Sequence, residues 1–225
     1  MENKSIALDG PAGAGKSTLS KMASKRFGLI YVDTGALYRC VGLYVLRKGV
    51  EPRDEASVKA LLPEISPVMK YDDDGVQRMY LGGEDVTEEI RMPEVSSYAS
   101  DVSALPPVRE YLLSQQRRMA EEYDVIMDGR DIGTVIMPKA GLKVFLTAEP
   151  EVRARRRYLE LREKGIGTTP EKVLEEMAQR DKNDSERDVA PLRAADDAVI
   201  LDTTNMDLGE SFEALCALIS GRLGA

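Results

Sequence analysis

The sequence of 225 residues contains no histidine and no tryptophan, and it has only two cysteines. The missing histidine excludes a Ser-His-Asp triad, an HExxH zinc site and a histidine general base. Cys40 and Cys216 lie far apart in segments of helical pattern, without a CxxC spacing, which predicts buried thiols in a reducing cytosol. Any chemistry must therefore use lysine, arginine, carboxylates, hydroxyls or a hydrated metal ion.

Long apolar runs and an excess of positive charge are also missing. No window approaches the roughly 18 consecutive apolar residues of a membrane span, and the polar N-terminus enters SIALDG without a signal-peptide pattern. The formal net charge of −8 argues against a general binder of nucleic-acid polymers. These features predict a cytoplasmic protein without a membrane partner, and we expect a monomer because no long apolar surface stripe demands a partner.

Short apolar runs alternate with helical patterns along most of the chain, as is typical of parallel strands buried on both faces. The middle third differs, because it contains two β-rich runs joined by DDDG (72–75), a hairpin signal. The pattern predicts one three-layer α/β domain, with a five-stranded parallel sheet flanked by helices and a small antiparallel β insertion. The predicted sheet strands are 5–9, 29–32, 124–129, 142–148 and 198–202, and the last two predicted helices are 170–181 and 207–220.

The segment GPAGAGKS (10–17) follows the first predicted strand and matches the pattern G-x-x-x-x-G-K-S in full. In this pattern glycines let backbone N–H groups surround a phosphate, Lys16 reaches the β- and γ-phosphates, and the Ser17 hydroxyl provides a ligand for Mg²⁺. The alternative is a glycine turn with a surface lysine. The pattern predicts a P-loop NTPase fold, with ATP bound by Gly10, Pro11, Ala12, Gly13, Ala14, Gly15, Lys16, Ser17 and Thr18.

The segment MDGRDIG (127–133) ends another predicted strand. Because the carboxyl ends of parallel strands face the ligand crevice, we expect Asp128, Arg130 and Asp131 to converge near the P-loop. Asp128 suits the ordering of magnesium waters or of the P-loop, Arg130 suits a phosphate, and Asp131 suits an amino or hydroxyl donor. A salt-bridged turn is the alternative.

The segment DTGALYR (33–39) follows the second predicted strand. Thr34 suits the N-cap of a helix. Arg39, one turn into that helix, suits a phosphate held over the helix N-terminus. Capping and substrate binding are compatible here.

Four arginines fall within five positions of EVRARRRYLELREKG (151–165). Helical spacing places Arg153, Arg156 and Arg157 on one face, with Arg155 directed elsewhere. Like charges on one face repel unless an anion joins them, so we expect a movable lid that closes on a transferring phosphoryl group. The alternative is a solvated face with Glu160 as the partner.

The segment QRDKNDSERDVAPL (179–192) alternates in charge. Arg180, Asp184 and Arg187 share one side of a helix if the helix continues through them. A carboxylate between two guanidiniums can accept hydrogen bonds from ribose hydroxyls and direct the arginines toward phosphate or base. A charged helix end is the alternative.

Together these strings resemble the bacterial-type cytidylate kinases, which are P-loop nucleoside monophosphate kinases. The resemblance runs from residue 6 to about residue 204, and its strings occur in family order: GPAGAGKST, DTGALYR, EDVTEEIR, SALPPVRE, DGRDIGT and RDKNDSERDVAPL. It implies one kinase domain, with a core at about 1–60 and 104–225, a lid at about 151–168 and a monophosphate-binding insertion at about 61–103. Thr34 stands where the family often has serine, which keeps the hydroxyl.

The resemblance also implies roles for individual residues. Thr34, Arg39 and Arg130 would hold the CMP phosphate, Arg180 and Asp184 would contact the pentose, and Ser100, Arg109, Asp131 and Arg187 would read the cytosine. The catalytic group would be Lys16, Asp128, Arg130, Arg153, Arg156 and Arg157. The implied reaction moves the γ-phosphate of ATP, with Mg²⁺, to CMP or dCMP.

Three other classes remain open on the sequence alone. A GTPase switch or hydrolysing ATPase is disfavoured because TNMD (204–207) lacks the lysine of a guanine-specifying NKxD. A second class is a kinase that acts on UMP, on another nucleotide or on a small alcohol. An alcohol acceptor would need a base near its hydroxyl, and Asp33 or Asp131 could serve. A non-catalytic nucleotide-binding module would bind without turnover.

Overall fold

The computed structural model describes residues 4–73 and 75–224, which divide into two compact units. The first unit comprises the chain up to Tyr31 and the chain from Ala120 onward, and the second is Val32–Met119. The strands of the described residues are β1 Ser5–Asp9, β2 Ile30–Asp33, β3 Pro67–Tyr71, β4 Gln77–Leu81, β5 Glu84–Asp85, β6 Val125–Gly129, β7 Leu142–Thr147 and β8 Val199–Asp202. The α-helices are α1 Lys16–Phe27, α2 Thr34–Arg47, α3 Glu55–Leu61, α4 Pro93–Ser103, α5 Pro106–Glu122, α6 Pro150–Glu163, α7 Pro170–Glu186 and α8 Leu208–Leu223.

The first unit is built around a five-stranded parallel sheet in the order β2-β6-β1-β7-β8, flanked by helices. β1 lies in the middle, because every described residue of it after the first is buried and it pairs with β6 on one side and β7 on the other. Ile6 and Leu8 of β1 and Ile126 of β6 belong to the hydrophobic core of this unit. This confirms the predicted α/β fold, and it places the end of β1 at the centre of the sheet edge where ligands bind.

The second unit contains a small antiparallel sheet in the order β3-β4-β5, as the hairpin signal predicts. The short strand β5 was not expected from the sequence, because two residues are too few to show a period. The core of this unit joins α2 and α4 to the sheet through residues such as Leu43, Met79 and Val102.

Two helices run further than the sequence pattern indicates. α7 was expected to end at 181 but continues to Glu186, and α8 was expected to stop at Gly221 but continues to Leu223. Gly221 is tolerated inside α8 because one glycine costs a helix only about 1 kcal/mol. The left-handed residue that ends the helix is Gly224, with φ 62°.

A π-helical segment, Ile132–Ile136, follows β6 in place of a regular helix start. Short π-helical turns are rare and are frequent at functional sites. This segment directly follows the Asp128–Asp131 stretch, and the sequence gives no periodic signal for it.

Two helical glycines should respond to alanine in opposite directions. A Cβ at Gly42 in α2 would lie 2.8 Å from the backbone nitrogen of Ala99 in α4, whereas a Cβ at Gly221 would meet nothing within 4 Å. We expect Gly42→Ala to destabilise the protein by about 1–3 kcal/mol through overpacking. Gly221→Ala should stabilise it by about 0.5–1 kcal/mol, through lower backbone entropy in the unfolded chain. Urea denaturation measures both effects, and a Gly42→Ala variant that is as stable as the original protein would contradict the close helix crossing.

Candidate active site

The P-loop joins β1 to α1 through three glycines with positive φ, namely Gly10 at 148°, Gly13 at 71° and Gly15 at 93°. Residues that carry a side chain rarely adopt a positive φ. A Cβ at Gly10 would also lie 2.0 Å from the carbonyl oxygen of Leu146 in β7. Glycine is therefore required at these positions by the backbone conformation, and at Gly10 also by the lack of space for a side chain.

Lys16 is the first residue of α1 and is buried. Its Nζ donates hydrogen bonds to the carbonyl oxygens of Gly10 and Pro11, each at 2.7 Å. Burial, with repulsion from the nearby guanidiniums of Arg130 and Arg180, holds the pKa of Lys16 well below its usual range. The lysine thus lies in a region of concentrated positive charge, which an anionic phosphate would relieve.

Ser17 follows Lys16 and contacts the end of β6. Its hydroxyl donates to one carboxylate oxygen of Asp128 at 2.8 Å, and the Tyr31 hydroxyl donates to the other at 2.9 Å. Asp128 is 5% exposed. A hydroxyl beside a buried carboxylate is a set of hard oxygen donors of the kind that Mg²⁺ prefers.

Asp9, the last residue of β1, bonds to the turn that follows β6. Its two carboxylate oxygens accept from the backbone N–H groups of Ile132 at 2.8 Å and Gly133 at 2.7 Å. Burial raises the pKa of Asp9 from its ordinary value of 3.8 to about 6, despite these two bonds. The negative charge of Asp131 adds to the increase, and Lys16 opposes it.

Asp184 is the centre of an arginine cluster in the first unit. Arg130 Nε donates to its carboxylate at 2.8 Å, and the Arg187 guanidinium lies 4.0 Å from it and 3.7 Å from Asp131. Burial alone would raise the pKa of Asp184, but Arg130 and Arg180 outweigh burial and hold the pKa below its usual value. The structure therefore brings together five predicted substrate residues: Arg130, Asp131, Arg180, Asp184 and Arg187.

The loop after α7 supports this cluster. Ala190 has φ 52°, a left-handed conformation unusual for a residue with a side chain, and it precedes Pro191. Its carbonyl oxygen accepts from Arg187 Nε at 2.7 Å, while the Leu192 N–H donates to the Asp184 carbonyl at 2.7 Å. The strained residue therefore directs a backbone acceptor at Arg187.

The three arginines of α6 do not share an open face. Arg153 is 6% exposed and donates to the Ala12 carbonyl at 2.9 Å and to Asp181 at 2.6 Å. Arg156 donates to the Thr203 carbonyl at 2.8 Å, and Arg157 donates to Glu160 at 2.8 Å. Each guanidinium thus has an acceptor within the first unit, whereas spacing alone indicated three unmatched positive charges.

In the second unit, Asp33 rather than Thr34 caps α2. The Asp33 carboxylate accepts from the Ala36 N–H at 3.0 Å and from Arg39 at 2.6 Å, and α2 begins at Thr34, which is buried. Threonine and aspartate both suit an N-cap, and Asp33 takes this position because its carboxylate also forms an ion pair with Arg39. Burial would raise the pKa of Asp33, but Arg39 and Arg91 hold it below its usual value.

Two further predicted residues lie in the second unit. Arg109 is 7% exposed, donates to the Ser103 carbonyl at 3.1 Å, and places its guanidinium 5.4 Å from the centre of the Tyr38 ring. The Ser100 carbonyl accepts from the Ser103 hydroxyl at 2.8 Å. The Ser100 hydroxyl itself is buried and has no hydrogen-bond partner in the described part of the chain.

Three residues of this site were not identified from the sequence. Asp9 accepts from the segment after β6, and the Tyr31 hydroxyl donates to Asp128. Asp181 accepts from the Ala12 N–H and from Arg153. The position of Asp9 at the end of a buried strand was the one available signal, since a charged residue there faces the crevice. Nothing in the sequence pattern distinguishes Tyr31 or Asp181 from core and surface residues.

Two negative findings concern metals and membranes. Within residues 4–73 and 75–224, no group of three or more His, Cys, Asp or Glu side chains is arranged to hold a metal ion. In the same ranges no helix is both long and apolar enough to cross a membrane.

The fold and the site define a P-loop nucleotide-binding protein, with a phosphate cradle beside an arginine-carboxylate cluster. Residues 6–220 match the family model described as cytidylate kinase. The chain belongs to the cytidylate kinase family. A cytidylate kinase of Caldicellulosiruptor bescii is 49% identical over 218 residues, covering 97% of this chain and 96% of that one. A cytidylate kinase of Bacillus licheniformis is 44% identical over 220 residues, covering 97% of both.

Solved structures show a likeness of fold alone. An uncharacterised protein of Eubacterium ventriosum has a TM-score of 0.54 at 11% identity and covers 98% of this chain and 99% of its own. A gluconokinase of Sinorhizobium meliloti has a TM-score of 0.50 at 16% identity and covers 100% of this chain and 96% of its own.

Proposed function

We propose that this protein transfers the γ-phosphate of ATP to CMP or dCMP, giving ADP and CDP or dCDP. One observation within the first unit carries the proposal besides the family. Arg130 and Arg180 lie close enough to Lys16 to lower its pKa, and Arg130 is bonded to Asp184. In this proposal Lys16 would serve the donor phosphate and Arg130 and Arg180 the acceptor, and their closeness supports it because phosphoryl transfer requires concentrated positive charge.

At the donor end, the P-loop N–H groups and Lys16 would bind the β- and γ-phosphates. Lys16 would exchange its bonds to Gly10 and Pro11 for phosphate oxygens, which also supply the negative charge that its surroundings favour. We propose that the segment at about 151–168 acts as a lid. Its Arg153, Arg156 and Arg157 would then leave their present acceptors to reach the transferring phosphoryl group.

Ser17 and Asp128 fit a magnesium ion, because a hydroxyl and a carboxylate lie together at 2.8 Å and both offer oxygen. When bound, the ion would neutralise the negative charge that develops during transfer. Tyr31 would orient Asp128 through its hydroxyl.

At the acceptor end, roles follow from the chemistry of each group. In the first unit, Arg130 would bind the 5′-phosphate, Arg180 and Asp184 the pentose, and Asp131 and Arg187 the cytosine. In the second unit, Thr34 and Arg39 would serve the phosphate, Ser100 and Arg109 the base, and the segment at about 61–103 would form the monophosphate-binding region. Cytosine's amino group can donate to a hydroxyl or carboxylate, and its ring nitrogen and carbonyl can accept from arginine.

No general base is needed for this reaction. The attacking oxygen of a nucleoside monophosphate is already anionic at neutral pH, so positioning and charge neutralisation carry the transfer. A protein without histidine is therefore suited to it. A cytoplasmic location and a monomeric state stay predictions from the sequence.

The test is ADP release in a coupled assay with magnesium-ATP and each of CMP, dCMP, UMP, AMP, GMP and dTMP. We expect turnover mainly with the two cytidine acceptors, because the proposed base contacts match cytosine's donor and acceptor pattern. Equal rates with UMP and CMP would mean that the enzyme accepts pyrimidine nucleotides in general. Slow ATP loss that is indifferent to every acceptor would overturn the kinase in favour of a hydrolase, and binding without any turnover would indicate a nucleotide-binding module.

A further inference from the structure

The carboxylate of Asp9 links the centre of the sheet to the turn after β6. Asp9 is 4% exposed, and one oxygen accepts from Ile132 N–H at 2.8 Å while the other accepts from Gly133 N–H at 2.7 Å. Two bonds to consecutive N–H groups fix the direction of the backbone there, not only its distance. β1 is the middle strand of the sheet, so the anchor itself is rigid.

The anchored turn carries two residues of the proposed acceptor site. Asp131 directly precedes Ile132, and Arg130 precedes Asp131. Arg130 reaches Asp184 at 2.8 Å and Asp131 lies 3.7 Å from Arg187, so a change in the direction of this turn would misplace both contacts. Displacements near 1 Å at reacting groups can cost about 10²-fold in rate.

We propose that Asp9 is a positioning residue for acceptor recognition, which holds Arg130 and Asp131 in the direction needed to bind a nucleoside monophosphate. The inference rests on the proposed function and deepens it. Asp9 acts through the backbone of the turn and touches neither substrate itself.

The chemistry of the site favours a carboxylate in this role. Two adjacent N–H donors need two acceptors, which a carboxylate provides, whereas an asparagine amide would direct its own NH₂ at one of them. Burial and the charge of Asp131 make the ionised form unfavourable, which raises the pKa of Asp9. A charged group kept in such surroundings is typical of a functional role rather than of core packing.

The experiment uses Asp9→Asn in the full chain, with initial rates measured while ATP and CMP are varied separately. We expect kcat/KM for CMP to fall about 10²-fold, because the turn loses one of its two anchors. The KM for ATP should stay within about threefold, because the P-loop keeps Lys16 and its N–H groups. A purely structural role would not separate the two substrates in this way.

Leu215→Ala is the matched control. Leu215 is fully buried in the core of the same unit, on α8, so this variant lowers stability without touching the turn. At a temperature well below both melting points, it should retain the kcat/KM of the original protein for CMP and for ATP. If it loses kcat/KM for CMP as Asp9→Asn does, the loss reflects general loosening and the inference is overturned.

The outcomes separate this inference from the proposed function. Absence of CMP turnover by the unmodified protein would refute the function, and the variant is then not needed. With turnover present, a kcat/KM for CMP within twofold of the original in Asp9→Asn would refute the positioning role. A rise in the KM for ATP as large as the fall in kcat/KM for CMP would also refute it, because it would assign Asp9 to the P-loop instead.

Discussion

Lys16→Ala should lower kcat by about 10³-fold while leaving the fold intact. Removing one cationic donor aimed at a developing phosphoryl charge typically costs 10²- to 10³-fold, roughly 3–4 kcal/mol of barrier. The stability should not fall, because burial and the guanidiniums of Arg130 and Arg180 disfavour a charged Lys16 in the absence of phosphate. Steady-state rates with CMP and thermal melting without nucleotide measure the two effects.

Lys25→Ala provides the control for this variant. Lys25 lies in the last turn of the same helix, α1, and its side chain is exposed. We expect activity within about twofold of the original and a stability change within about 0.5 kcal/mol, as for most surface substitutions. If Lys16→Ala destabilises the protein by several kcal/mol, Lys16 is an element of the core, and the loss of activity says nothing about phosphate.

The sheet and the P-loop could be predicted because their signals are local. A buried parallel strand is a short apolar run, and a phosphate-binding turn needs glycine at fixed positions, such as Gly10 against the wall formed by Leu146. The meeting of Asp128 with Ser17 was also expected, since strand ends converge at one edge of a parallel sheet, and their side chains lie 2.8 Å apart.

What the sequence did not indicate depends on partners from distant parts of the chain. Helical spacing assigns Arg153 and Arg156 to one face of α6, but it does not show which groups accept their hydrogen bonds. Arg153 donates to Asp181, and Arg156 donates to the Thr203 carbonyl. The same holds for Asp9, whose donors are more than 120 positions away and are backbone groups without a residue signature. Turn-level detail, such as the π-helical segment, likewise follows from these contacts rather than from local propensity.

Asp9 and Asp184 are buried carboxylates of the first unit whose surroundings shift their pKa values in opposite directions. Burial raises the pKa of Asp9 and so disfavours its charged form, whereas Arg130 and Arg180 lower the pKa of Asp184 and favour its charged form. The first should therefore cost stability at neutral pH and the second should contribute it. Environments that push two carboxyl pKa values apart are typical of sites with divided roles.

Asp184→Ala should damage both stability and activity. It leaves the partly buried Arg130 and the buried guanidinium of Arg187 without their shared carboxylate, and breaking a buried ion pair on one side typically costs about 3–5 kcal/mol. We expect kcat/KM for CMP to fall about 10²- to 10³-fold, because both guanidiniums lose the group that directs them. Asp188→Ala is the control, since Asp188 lies four residues on and is exposed, and it should change little in either measurement.

The pH dependence of stability tests the cause of this effect. The pKa of Asp184 in the folded protein is lowered below its ordinary value of 3.8, so its contribution is fully present above about pH 4 and is lost as pH falls through the folded pKa. In urea denaturation, Asp184→Asn should therefore be less stable than the original protein at pH 7, with the difference shrinking as the pH is taken below 4. A difference that does not change with pH would mean that Asp184 acts through shape or neutral hydrogen bonds, and the arginine cluster would then lack the charged centre on which its proposed role in acceptor binding depends.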